Sequence, residues 1–262
     1  MGSYMRAVRA EIEANADQFT DMRIEAVRFG GGIASNAGEG IAEVMRCVRQ
    51  CFSVASDAPV TMRSSIANIS GANMTWFKRA GICRYDFEMM SLNQMDFFRL
   101  NKMDSLNDFE TICDYILRSY NNDLLGLILA YGLEAATPQA TIQNFRNSIL
   151  KVVRSHVAHL ILLCYEGDSP ASDEQQGEQL AQARELLAEH GFREYIPLHF
   201  AREGLEDRYF QRSHEGATEV AFGLRARTIV EGACSTNTSD LDTYLQYSAD
   251  YTKITASIEA SL

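Results

Sequence analysis

The sequence predicts an α/β protein built on a parallel sheet. Short β-rich runs alternate with amphipathic helical stretches from the N-terminus to residue 200. Two of the runs, LLGLILA and LILLCY, are almost wholly apolar, as strands buried on both faces should be. Helix ends are punctuated: Gly81 and Gly191 stand where C-terminal glycines belong, and Pro138 opens a helix behind Thr137. Strands and helices of these lengths fit right-handed βαβ crossovers, which leaves an open doubly wound sheet and a closed or partial barrel as the two architectures.

In chain order, residues 4–20 have helical spacing and 24–29 (IEAVRF) form a short strand. Helical 42–52 precedes the strand 59–64 (PVTMRS), and helical 71–81 precedes 83–89 (CRYDFEM). The pattern repeats as 108–120 before 124–132, 137–153 before 158–165, and 178–191 before 193–200 (REYIPLHF). Residues 167–178 (GDSPASDEQQGE) read as a long surface loop. From Thr238 to Leu262 the pattern is helical, capped by Ser239 or Asp240, so the expectation is one domain over 1–262 with a helical extension at about 238–262.

Of 262 residues 46% are hydrophobic, ample for a packed core. A net charge of -11 without a Lys/Arg cluster argues against binding a nucleic-acid backbone or an anionic membrane surface. There is neither a membrane-length apolar stretch nor a signal-peptide core, and six scattered cysteines suit reduced thiols, so the expected location is cytoplasmic.

The stretch VRFGGGIAS (27–35) places three glycines after a strand, at the end where parallel α/β proteins meet ligands. Glycines there permit positive φ and close approach of backbone groups to a ligand; a tight turn packed on its own helix is the alternative. The spacing matches neither a G-x-G-x-x-G dinucleotide fingerprint nor a P-loop.

Taken together, YMRAVRAEIEAN, VRFGGGIAS, WFKRAGICRYDFEMMSLN, AYGLEAATPQATIQNF and YIPLHFAR resemble, in order and spacing from about Tyr4 to Gln246, the radical S-adenosylmethionine (SAM) enzymes similar to oxygen-independent coproporphyrinogen oxidase. The resemblance implies a partial TIM-type (β/α) barrel that binds SAM, with Gly30, Gly31 and Gly32 at the motif that receives the SAM amino group. It also implies a [4Fe–4S] cluster held by a C-x3-C-x2-C loop after the first strand. The matching region begins at the helix after that loop, so the expectation is a barrel lacking the first strand and a protein with no iron-sulfur cluster. Cys47-x3-Cys51 lies on one face of a helix and reads as core packing, and no metal site is expected.

Three positions depart from the family's pattern. Arg63 stands where a carboxylate holds the SAM ribose, Met90 where G-x-Q has its glutamine, and Ile128 where an aspartate precedes x-x-Y-G-L. Arginine only donates hydrogen bonds and isoleucine makes none, so the usual SAM pose is not expected.

A sulfonium needs no electron to react: SAM carries three electrophilic carbons, and positioning beside a nucleophile supports methyl transfer, aminocarboxypropyl transfer or intramolecular displacement. The expectation is therefore a non-radical SAM-dependent transferase or lyase acting on a small molecule in secondary metabolism. Candidate catalytic residues are Glu88, Tyr131, Tyr165 and His199, with Glu166 as a second base; Arg63, Met90 and the three glycines are the cofactor-binding candidates. Each has a bland reading: Arg63 and Glu88 as a structural ion pair, the tyrosines as half-buried packing, His199 as a histidine bonded to backbone. His156 and His159 lack a third metal ligand, and Arg225 and Arg227 would bind carboxylates or neutralise an acidic surface. Met89, Met90, Met95 and Met103 form core filler or line a pocket for an apolar macrocycle. The rival reading is a non-catalytic partner, or a haem- or porphyrin-binding relative, of an active radical enzyme. Exposed strand edges of an incomplete barrel favour a homo-oligomer or a protein partner.

Overall fold

The computed structural model describes residues 1–100, 106–120 and 124–260. The chain runs α1 (Gly2–Asn15), β1 (Arg23–Ile24), β2 (Val27–Phe29), α2 (Glu39–Cys51), β3 (Ser53–Val54), β4 (Val60–Ser64), α3 (Gly71–Ala80) and β5 (Ile82–Met90). It continues through α4 (Gln94–Arg99), α5 (Leu106–Ser119), β6 (Leu124–Tyr131), α6 (Pro138–Arg154), β7 (His159–Cys164), α7 (Asp173–Glu189), β8 (Phe192–Ile196) and β9 (His199–Arg202). Then come α8 (Arg208–His214), β10 (Arg227–Val230), β11 (Ala233–Asn237), α9 (Leu241–Tyr247), α10 (Tyr251–Ile254) and β12 (Thr255–Ala260). The mixed α/β fold with a parallel-rich sheet is the class that the alternation predicts.

Four elements differ from expectation. The strand expected over 24–29 is split into β1, which pairs with β3, and β2, which pairs with β4 in another sheet. Helix α7 starts at Asp173, inside the expected loop, because Ser172 and Gln175 form a reciprocal capping box. REYIPLHF is not one parallel strand but the hairpin β8–β9, and β9 runs antiparallel to β7. Its turn is Pro197-Leu198: proline has no N–H for a ladder, and Leu198 adopts φ 63. At the C-terminus, helical structure stops at Ile254, and Thr255–Ala260 pair antiparallel with β11 instead of extending a helix. Cross-strand pairing outweighs a weak local helical preference there.

Two compact units make up the chain. The first comprises Met1–Met62, Ser70–Ile82 and Arg208–Leu262. It contains the parallel pairs β1–β3 and β2–β4 and the antiparallel sheet β10-β11-β12. Its core joins Ala7, Val8 and Ile12 of α1 to Val44 and Cys47 of α2, Phe52, Tyr244 and Ile254. Glu11 is buried within it and accepts hydrogen bonds from Asn237 Nδ2 (2.6 Å), Gly223 N (2.8 Å) and the Tyr244 hydroxyl. Burial pushes its carboxyl above the usual range despite those donors, and it ties α1 to three points of the C-terminal segment.

The second unit, Arg63–Ile69 with Cys83–Asp207, carries the strand order β5-β6-β7-β9-β8. The parallel register aligns Asp86, Gly126 and His159 in one row and Glu88, Ile128 and Ile161 in another. Alternation therefore gives two unlike faces. One holds Tyr85, Phe87, Leu125, Leu127, Leu160 and Leu162, all buried, with Phe87 edge-on to Phe109 of α5 at 6.4 Å between centroids. The other holds Arg84, Asp86 and Glu88 at every second residue of β5.

Candidate functional site

On that polar face, at the carboxyl ends of β4 and β5, Arg63 and Glu88 form an ion pair. Arg63 Nε donates to Glu88 Oε2 at 2.7 Å, and Nη2 contacts the same oxygen. Both side chains are about one-quarter exposed (28% and 20%), so the pair stands at the edge of solvent. Just beyond it the β5–β6 register slips: Glu88 pairs with Ile128 and Met90 with Leu129, leaving Met89 as an extra residue. Met90 has φ 63, a conformation unfavourable for a residue with a Cβ, so the end of β5 is a strained bulge. Met90 is half-buried, Met89 buried and Met95 exposed; Met103 lies outside the described residues.

The two tyrosines do not join this pair on equal terms. Tyr131 is opposite Cys164, on the face of Leu125, Leu127 and Leu129, away from Glu88. Burial, then the Cys164 thiol, raises its phenol's pKa, and Arg184 of α7 acts on it in the other direction. Tyr165 follows β7 on the Glu88 side by alternation, but its ring folds back over Gly167, where a Cβ would overlap it. Leu163, on that same side, is 36% exposed, and Glu166 is exposed.

His199 begins β9 instead of ending a parallel strand, and its Nδ1 lies 2.9 Å from the Pro197 carbonyl. Its ring is 6.2 Å from those of His159 and Tyr195. This places it beside a buried polar network that sequence reasoning missed. Asp86 Oδ1 lies 3.4 Å from His159 Nδ1, and His159 Nε2 is 2.7 Å from the Tyr195 hydroxyl. Arg84 faces Asp207 at 3.9 Å and donates to the Leu205 carbonyl at 2.6 Å. Burial pushes the Tyr195 phenol's pKa upward. The available signal was the alternation of Arg84, Asp86 and Glu88 within an otherwise apolar strand.

In the first unit, the three glycines are exposed and follow the end of β2. Only Gly31 needs to be glycine for backbone reasons, with φ 77. A Cβ at Gly31 or Gly32 would meet no atom within 4 Å among the described residues, and one at Gly30 would make an ordinary contact with Arg28 at 3.8 Å. Packing among the described residues thus does not account for the run of three, and the open backbone suits an external ligand.

The Cys47–Cys51 pair is not arranged as a cluster-binding loop. Cys47 and Cys51 lie on α2, the Cys47 thiol sits against the Arg9 carbonyl (3.8 Å) and Glu13 (3.7 Å), and burial pushes its pKa up to about 12. Among the described residues no three His, Cys, Asp or Glu side chains are grouped to hold a metal. Arg225 adopts φ 55 and lies outside β10, whereas Arg227 donates to Cys234 Sγ at 2.8 Å. No helix among the described residues is long and apolar enough to cross a membrane.

Comparison with known proteins places this geometry in context. No family model matches the chain. It is 27% identical over 195 residues to radical S-adenosyl methionine domain-containing protein 1, mitochondrial, of Bos taurus, covering 70% of this chain and 43% of that protein. It is 24% identical over 252 residues to the oxygen-independent coproporphyrinogen III oxidase of Bradyrhizobium diazoefficiens, covering 87% and 55%. The chain thus spans about half the length of these curated relatives. Among solved structures, the coproporphyrinogen III oxidase HemN of Escherichia coli, a radical SAM enzyme, superposes with a TM-score of 0.82 at 18% identity, over 99% of this chain and 64% of the enzyme.

Proposed function

Taking the chain as a divergent relative of the HemN-like radical SAM proteins, we propose that it binds SAM and promotes a non-radical reaction of the sulfonium on a small molecule. The observation that carries this reading is the Arg63–Glu88 ion pair, which occupies strand ends where the resemblance implies a ribose-binding carboxylate at position 63 and glycine at position 88. The site has exchanged one acceptor for a paired donor and acceptor. Taken within the first unit alone, the open backbone of Gly30–Gly32 suits an amino group. A carboxylate such as Glu88 stabilises a sulfonium or accepts a proton from an attacking nucleophile. Displacement at a carbon beside S⁺ moves an electron pair onto sulfur, so methyl transfer, aminocarboxypropyl transfer and internal displacement need no external electron.

The test is calorimetry with SAM and S-adenosylhomocysteine in air without iron, followed by chromatography for S-adenosylhomocysteine or methylthioadenosine. Binding with formation of either product supports the reading. Haem binding without SAM binding favours the porphyrin-carrying alternative, and a cluster gained on anaerobic reconstitution, with SAM cleaved only after reduction, overturns the non-radical chemistry.

A further inference from the structure

We propose that Arg63 is an oxyanion receptor, aligned by Glu88, and that the ligand of this site carries a carboxylate or phosphate against the outer edge of its guanidinium. The inference deepens the proposed SAM reading at the same strand ends. Arginine presents five N–H donors in a rigid planar fork. Two of these, Nε and Nη2 along one edge of the plane, engage Glu88 Oε2, and Nη1 makes no hydrogen bond among the described residues. One oxygen gripping two adjacent nitrogens holds the plane in place, so the Nη1 side is presented ready-oriented, and the side chain's 28% exposure is the route by which a ligand reaches it.

The surroundings favour such a use. The row containing Glu88 continues into Ile128 and Ile161, both buried, so no second carboxylate from β6 or β7 stands in that row to occupy the fork. Apolar walls strengthen a charge-assisted hydrogen bond at their edge. Glu88 opposes the charge attraction of an anion, so the contribution of the fork is its aligned donors. This sets a sign: removing the Glu88 charge while keeping an acceptor strengthens anion binding, whereas a purely structural ion pair responds to no anion.

The probe is malonate at constant ionic strength, followed through the Arg63 Nε–H resonance in the ¹⁵N spectrum, assigned by its loss in Arg63→Lys. We expect a saturable shift, at least about tenfold weaker calorimetric binding in Arg63→Gln, and roughly threefold to tenfold tighter binding in Glu88→Gln. A resonance that malonate leaves in place overturns the proposal, as does equal binding by the wild type and Arg63→Gln. SAM and decarboxylated SAM then identify the source of the anion. Preference for SAM that disappears in Arg63→Gln assigns the fork to the methionyl carboxylate, and equal affinity with malonate still bound assigns it to a separate acidic substrate. If neither sulfonium binds while malonate moves Arg63, the SAM reading fails and the receptor stands.

Discussion

Asp86 reaches His159 across the backbone of Gly126. The three residues stand in one row of neighbouring parallel strands, and the carboxylate lies over the middle position, 3.4 Å from the imidazole. A Cβ at residue 126 would overlap Asp86 Oδ1, so the glycine is the gap through which the buried pair forms. Gly126→Ala is expected to lower unfolding stability by about 2–4 kcal/mol, read from urea midpoints. Because Asp86→Ala removes the atom that clashes, the double variant should be more stable than the sum of the two single losses. Strict additivity would show that the two positions are not coupled.

Glu11 gives the first unit a pH dependence of definite sign. Its folded carboxyl titrates above the ordinary 4.5, mainly through burial. Between 4.5 and that raised value the folded chain holds a proton that the unfolded chain has released, so stability falls as pH rises through this window. The contribution is complete below 4.5 and gone above the folded pKa. Glu11→Gln should flatten this part of the stability profile, measured by urea unfolding between about pH 4 and 8. Glu11→Ala leaves three donors without their acceptor and should cost about 2–4 kcal/mol below pH 4.5, and less as pH rises through the window.

The glycine turn separates a backbone requirement from a ligand requirement. Gly31→Ala should cost about 1–2 kcal/mol, because φ 77 is unfavourable for alanine. Gly32→Ala should leave stability within about 0.5 kcal/mol, as nothing among the described residues crowds a Cβ there. If SAM lies against this backbone, Gly32→Ala should nevertheless weaken its calorimetric affinity about tenfold, the equivalent of one lost close contact. Unchanged affinity would remove the turn from the binding site.

Thiol reactivity should follow burial. Cys164 is exposed, whereas burial pushes Cys47 and Cys113 up to about 12. Iodoacetamide at pH 8 should label Cys164 first in the native protein, with Cys47 and Cys113 modified only after unfolding. Peptide mass spectrometry against time checks the order, and early labelling of Cys47 would mean that α1 does not stay packed on α2.

Much of the fold was legible because its signals are local. Thr137 caps α6, Gly81 ends α3 with φ 87, and Asp240, one of the two candidates with Ser239, caps α9, as residue type and position suggest. The β8–β9 hairpin and β12 were not legible. REYIPLHF and TASIEA are short, and their directions come from partners far away in sequence. The site was legible only as a set of candidates: Arg63 and Glu88 were both named, but so were Tyr131, which the register turns to the other face, and His199, which sits beside the buried histidine.

By itself the sequence determined the alternation of strands and helices, their caps, the glycine turn and the family likeness, because periodicity and backbone preference act over a few residues. Only the tertiary structure decided that Arg63 meets Glu88, that Gly126 makes room for Asp86 beside His159, and that Tyr131 faces the helices. Each depends on which residue of one strand lies opposite which residue of the next. In parallel strands joined by long crossovers that register is set by packing of the whole unit, and a shift of one residue reverses every side chain it carries.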